Sequence, residues 1–273
     1  VSKEIGILFC GDPHGDFDFI IDAAREARPD AAVIVGDFYD RKSLPAAGET
    51  ADTALVAVRA EGVRVLYIHG NHESDRPEIW KASIESLPVE DGLHARFETV
   101  GPVSLGGLGG VFRQKVWFPN DGSEPRFLTR ESKLACIPKN ERFRNGLPVK
   151  DRTTIFPEDF DALRERSRGL PSAGRILVTH EAPETHEFGA ACLSGLARDC
   201  GAGLLVHGHH HFSYRATLPC GTRVRGLAGR EAWLARFGTD GRLIEDEGLW
   251  TAERCPPRPD TAGNGQGGDD AAA

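Results

Sequence analysis

The chain has 273 residues, 40% hydrophobic and 27% charged, with a formal net charge of -8. Such a length buries a substantial core in one large domain or two small ones. The acidic balance argues against a surface built wholly for nucleic acid, and no apolar run reaches the roughly 18 residues of a membrane span.

In chain order, IGILF (5–9) reads as a strand and FDFIIDAAREA (17–27) as an amphipathic helix stopped near Pro29. AAVIV (31–35) is a second strand, ETADTALVAVRAEG (49–62) a helix ended by Gly62, and VRVLYIH (63–69) a third strand. GPVSLGGLGGV (101–111) looks like a strand with close backbone approach. RILVT (175–179) and GLLVH (203–207) repeat the strand pattern around a helix at 191–200. Continuous Val/Ile/Leu runs suggest strands covered on both faces, as in an α/β layered domain. Beyond them, SYRATLPCGTRVRGLA and AWLARFGTDGRLIEDEG each place two strands around a turn and should extend a second sheet. The tail after about Glu253 has the composition of a disordered segment, which leaves 1–252 as one catalytic domain. The opening VSKEIGILFC lacks an export h-region, and the six cysteines contain no C-x-x-C pair; reduced thiols and a cytoplasmic location are expected.

Five apolar runs are followed at once by polar residues: GDPHG (11–15), GDFYD (36–40), GNHE (70–73), THE (179–181) and GHHH (208–211). Ligand sites in α/β sheets gather beyond the carboxyl ends of strands. The five ends therefore converge, and they supply Asp12, His14, Asp37, Asn71, His180, His209 and His211. All are oxygen or nitrogen donors without a thiolate. Seven exceed one tetrahedral site but suit two divalent ions of the manganese, iron, zinc or cobalt type, able to clamp a phosphate. Gly11, Gly36, Gly70 and Gly208, which open four of the five blocks, allow a sharp turn and close approach. His210 occupies the variable place of G-H-x-H and should point away from the ions.

This order of motifs, D-x-H, G-D-x-x-D, G-N-H-E, H and G-H-x-H, resembles the calcineurin-like metallophosphoesterase superfamily over about residues 5 to 212. The resemblance implies a two-sheet β-sandwich flanked by helices and a phosphoesterase in which a metal-bridging hydroxide attacks phosphorus. It further implies that Asp12, His14 and His211 hold one ion, that Asn71, His180 and His209 hold the other, and that Asp37 bridges them. His72 would act on the leaving group, oriented by Asp40. The first three blocks are nearest to Ser/Thr phosphoprotein phosphatases, but Lys42 stands where that branch has glycine and the later blocks differ. A phosphoprotein phosphatase and a non-catalytic scaffold therefore remain as alternatives.

From Arg113 to Arg152 there are ten basic and five acidic residues, a balance of +5 within a chain of -8. With Trp117, Phe118, Phe127 and Phe143 interleaved, the inserted segment 113–157 could cap the site and stack a base, so a nucleotide-like phosphate ester is somewhat favoured. The basic insertion permits a nuclease, but nucleic acid is not favoured in an acidic chain, and no membrane partner is expected. Arg113, Arg126, Arg142 and Arg144, with Arg41 beside the second block, are candidate phosphate-binding residues because the guanidinium fork suits bidentate contacts.

Overall fold

The computed structural model describes residues 4–171 and 173–251. The elements run β1 (Ile5–Cys10), α1 (Asp18–Ala27), β2 (Ala31–Ile34), α2 (Ala51–Ala54), α3 (Val56–Ala60), β3 (Arg64–Tyr67), α4 (Pro77–Ser83), β4 (Arg96–Val100) and β5 (Val103–Leu108). They continue with α5 (Arg130–Ala135), α6 (Pro157–Ser167), β6 (Arg175–Thr179), α7 (Ala191–Cys200), β7 (Leu204–His207), β8 (Tyr214–Thr217), β9 (Arg223–Gly226), β10 (Glu231–Phe237) and β11 (Leu243–Thr251).

Two sheets form, ordered β11-β10-β1-β2-β3 and β4-β5-β6-β7-β9-β8. Period-two alternation decides what each strand faces. In β1, Ile7 and Phe9 join Val33, Leu66, Leu105, Val178 and Val206 in the core between the sheets. Leu8 and Cys10 face outward, against Phe19 and Ile20 of α1 and Val58 of α3. Across the other sheet, Leu177 and Leu205 meet Phe160 and Leu163 of α6 with Leu193 and Leu196 of α7. The result is an α/β sandwich of two sheets flanked by helices.

Three details differ from the sequence reading. The helix expected over 49–62 is two short helices broken at Leu55. Strand β4 and helix α4 form where the sequence carries no strong periodic signal. The two C-terminal hairpins also part company: β8–β9 extends the second sheet, whereas β10 pairs antiparallel with β1 and completes the first. Burial explains the split, because β8 alternates half-buried and exposed residues, as an edge does, while β10 is buried along nearly its whole length. The tail expected to be disordered lies outside the described residues.

Candidate metal centre and active site

The loops that follow β1, β2, β3, β6 and β7 bring their polar residues to one place. Asp12 and Asp37 lie at its centre, 0% and 1% exposed. Asp37 Oδ1 accepts the backbone N–H groups of Asn71 (2.9 Å) and His72 (2.8 Å), while Oδ2 lies 3.3 Å from His180 Nε2 and 3.9 Å from His14 Nε2. Asp12 Oδ2 accepts the His209 N–H (2.7 Å) and lies 3.3 Å from His211 Nε2. His14 and His211 meet nitrogen to nitrogen at 3.1 Å. Ligand atoms of Asp37, His180 and His209 all lie within 4.8 Å of one another.

The backbone is strained where the chemistry is. Of the ten non-glycine residues with positive φ among those described, five are Asp12, His14, Asp37, His209 and His211. Such conformations cost about 1–3 kcal/mol each and persist where surrounding structure over-determines them. A Cβ at Gly70 would collide with the Asp37 carboxylate and the His180 ring, and one at Gly208 with the Asp12 carboxylate. Those two glycines therefore permit the close approach.

The donor set fits cations. His180 engages the Val35 carbonyl through Nδ1 (2.8 Å), which leaves Nε2 facing two acceptors, Asn71 Oδ1 at 3.1 Å and Asp37 Oδ2 at 3.3 Å. Lone pairs facing lone pairs need a proton or a metal ion between them. The protein alone answers with a proton: burial opposes it, but the Asp37 and Asp12 carboxylates raise His180 to about 10. In return His180 holds Asp37 well below the usual carboxylate range, against the opposing effect of burial. Asp12 Oδ1 is buried with no hydrogen-bond partner at all. A buried carboxylate oxygen left bare is costly, and a divalent cation would satisfy it.

The expected role of Asp40 is corrected by the geometry. Its Oδ1 accepts from Lys42 N–H, Ser43 N–H and Ser43 Oγ, and its Oδ2 lies 2.9 Å from His14 Nδ1, so it serves His14. His72 is held instead by Asp75, Nδ1 to Oδ2 at 2.7 Å. The two begin and follow a single 3-10 turn, in which residues i and i+3 eclipse. Burial opposes the charge on His72, but this hydrogen bond and the fields of Asp37 and Glu73 raise its pKa. Asp75 in turn accepts from Lys150 Nζ at 2.7 Å and, despite burial, is pulled down to about 2 by His72 and Lys150. Glu73 carries a further task that its motif position did not reveal. Fully buried, it accepts the Phe38 and Gly70 N–H groups at 2.7 Å each and straps the loops after β2 and β3 together. Burial and the Asp37 field push it up to about 8. The HESD spelling of 72–75 was the available signal for Asp75; Lys150 had none.

A cavity of ≈ 940 Å³ opens over His14, His72 and His211, rimmed by Arg41, Lys42 and Arg230. Of the candidate arginines only Arg41 lines it. Arg113 donates to Thr153 Oγ1, whose hydroxyl meets Ser74 beside His72, and so supports that loop from behind. Arg142 donates to the carbonyls of Leu134 and Ile137 at the end of α5, and Arg144 pairs with Glu85. Arg126 is exposed and away from the cavity. The aromatics expected to stack a base are engaged elsewhere: Trp117 packs on Phe112 and Phe160, Phe127 lies under Lys133, and Phe143 lies between Arg144 and Arg152. Packing satisfied these side chains before a ligand could. His210 stacks on His186 at 4.2 Å, yet one of its ring nitrogens lies within 4.8 Å of ligand atoms of His209 and Glu181, a second group that could hold a metal ion.

A model of the calcineurin-like phosphoesterases matches residues 5–213. An uncharacterized protein of Haemophilus influenzae is 33% identical over 219 residues, covering 78% of this chain and 87% of that protein. The DNA double-strand break repair protein Mre11 of Aeropyrum pernix is 36% identical over 199 residues, 71% of this chain but only 42% of its own length. The crystal structure of TT1561 of Thermus thermophilus superposes with a TM-score of 0.54 at 16% identity, covering 85% of this chain and 94% of that one, a likeness of fold. Among the described residues no helix is long and apolar enough to cross a membrane.

Proposed function

The chain belongs to the calcineurin-like phosphoesterase family, and from that membership we propose that it hydrolyses a phosphate ester on two divalent cations. Asp12, His14 and His211 would hold one ion, Asn71, His180 and His209 the other, with Asp37 shared. The observation that carries this reading is Asp12 Oδ1, buried without a hydrogen bond among ring nitrogens that face acceptors. Asp37 Oδ2, within 3.9 Å of both His14 and His180, suits a carboxylate common to two sites. When bound, such ions supply Lewis-acid charge for phosphoryl oxygens and lower the pKa of water towards neutrality. Manganese, iron, zinc or cobalt all match the donors.

The protein's own groups do the rest. Arg41, Lys42 and Arg230 bring three cations to a cavity that Asp40 and Asp75 also line, and these cations can meet an anion there. His72 spends Nδ1 on Asp75, so Nε2 is the atom left to donate a proton to a departing oxygen. Free thiols at Cys10, Cys136, Cys192, Cys200 and Cys220 fit a cytoplasmic setting. The likeness to a DNA double-strand break repair protein adds DNA phosphodiesters to the substrates to be tried.

The test is turnover of glycerol 2-phosphate, p-nitrophenyl phosphate, bis-p-nitrophenyl phosphate and single-stranded DNA by manganese-loaded protein. Hydrolysis of at least one, lost in Asp37→Asn, is expected. Metal-loaded protein inert towards all four would refute the reading.

A further inference from the structure

Beside the metal centre lies a second cavity of ≈ 440 Å³, between the loop after β6 and the chain leading into β8. Its walls are rings: His186, Phe188, His210, Phe212 and Tyr214. Phe188 and Phe212 are 65% and 61% exposed, although apolar rings of this size are ordinarily withdrawn from water. They are held in place. His186 and His210 stack at 4.2 Å with planes 11° apart, Phe188 sits 5.9 Å from His210, and Phe212 stacks on Tyr214 at 6.1 Å. Tyr214 is fixed through its hydroxyl by Thr185 and His207.

Position and charge say what would fill it. Residues 209–212 alternate: His209 enters the metal centre, His210 the aromatic cavity, His211 the basic-rimmed cavity and Phe212 the aromatic cavity again. The His209 and His210 rings are 4.6 Å apart, so one ring separates the two places. The cavity over His72 carries Arg41, Lys42 and Arg230 beside Asp40 and Asp75, whereas the aromatic one has no Arg or Lys in its lining and includes Glu187. An anionic group belongs in the first and a flat uncharged ring in the second.

Resting on the phosphoesterase reading, we propose that this aromatic cavity is the base subsite of a nucleotide substrate. An unpaired nucleobase stacks on Phe188 and Phe212 while its phosphate lies at the metal centre. Stacking is tolerant of base identity, so the site selects for a base without choosing strongly among them.

The experiment compares kcat/KM for adenosine 5′-monophosphate and for a 5′-phosphorylated single-stranded oligonucleotide, each divided by that for glycerol 2-phosphate, which has no ring. In Phe188→Ala/Phe212→Ala at least one ratio is expected to fall roughly tenfold or more, chiefly through KM, with recovery in Phe188→Tyr/Phe212→Tyr. The ratio that falls tells whether the base arrives on a free nucleotide or at a strand end. Both ratios unchanged would overturn the proposal, including the case in which the double variant instead changes oligomeric state. Saturation-transfer NMR with adenosine separates this claim from the catalytic one. Transfer seen in wild type and lost in the double alanine variant upholds the subsite even in a protein that hydrolyses nothing. No transfer, or equal transfer in both, overturns it.

Discussion

Two regions of the molecule are dense in charge and treat it in opposite ways. From Arg113 to Arg152 most cations are answered by a neighbour: Arg130 by Asp159 and Glu158, Lys115 and Lys133 by Asp151, Arg144 by Glu85, Arg142 and Arg152 by carbonyls, although Nε of Arg113 and of Arg152 is buried without a hydrogen bond. In the loops after β1, β2, β3, β6 and β7, by contrast, Asp12 Oδ1 accepts no hydrogen bond, its nearest cationic neighbour being His180 Nδ1 at 3.8 Å, and imidazole nitrogens point at one another. The first region spends its charge on holding itself together. The second keeps its charge available. Charge density alone therefore says nothing of function; what matters is whether the groups have been satisfied internally.

Substitutions can sharpen that contrast. The largest effect is expected from Asp37→Asn, which should weaken metal binding by more than the ~10–100-fold typical of an outer-shell partner and abolish turnover. Calorimetric metal titration checks it. Next, His72→Ala should lower kcat by ~10²–10⁴ with metals still bound, most for substrates with poor leaving groups. Asp75→Asn should reproduce that leaving-group dependence in weaker form, and Lys150→Met more weakly still, because both act through the orientation of His72. A Brønsted series on the three variants tells whether the order holds; equal losses for good and poor leaving groups would contradict it.

In the self-satisfied region the effects should appear in stability. Asp159 is 2% exposed and is bound by both Arg130 nitrogens, by the Phe156 N–H and by His94. Asp159→Asn should cost ~1–3 kcal/mol in denaturant unfolding by removing the charge that faces Arg130 and His94, with Glu158 still pairing Arg130. Burial opposes its ionisation, yet His94 and Arg130 hold its carboxyl well below the usual range. The stability it contributes is thus fully present above the unfolded carboxylate pKa of about 4 and fades as pH falls below that towards the lower folded value. The slope of stability against acid pH should be shallower in the variant. Smallest is Arg142→Ala, expected to cost ~1 kcal/mol of stability and to leave KM for every phosphate ester unchanged. A raised KM would restore Arg142 to substrate binding.

The same contrast explains what was legible in the sequence. Each candidate ligand follows an apolar strand within a few residues, so its chemistry is written locally. The sandwich was legible for the same reason, strand by strand. Which sheet a hairpin joins was not, since β10 finds β1 across more than two hundred residues. Arg142 and Arg144 do not reach the cavity because their partners, the α5 carbonyls for Arg142 and Glu85 for Arg144, are matters of tertiary packing. Lys150 shows the reverse error, an unremarked cation that reaches Asp75 and through it His72. The exposed Phe188 and Phe212 escaped notice because no spacing marks a ring that packing leaves uncovered.

The central claim is that carboxylates and imidazoles from five strand ends remain unsatisfied so that cations can satisfy them. Its most direct test is manganese titration of the purified apoprotein by calorimetry, beside Asp12→Asn. About two ions per chain are expected for the wild type, with at least one site lost in the variant. No binding in the wild type, or the same binding in both proteins, would contradict the claim.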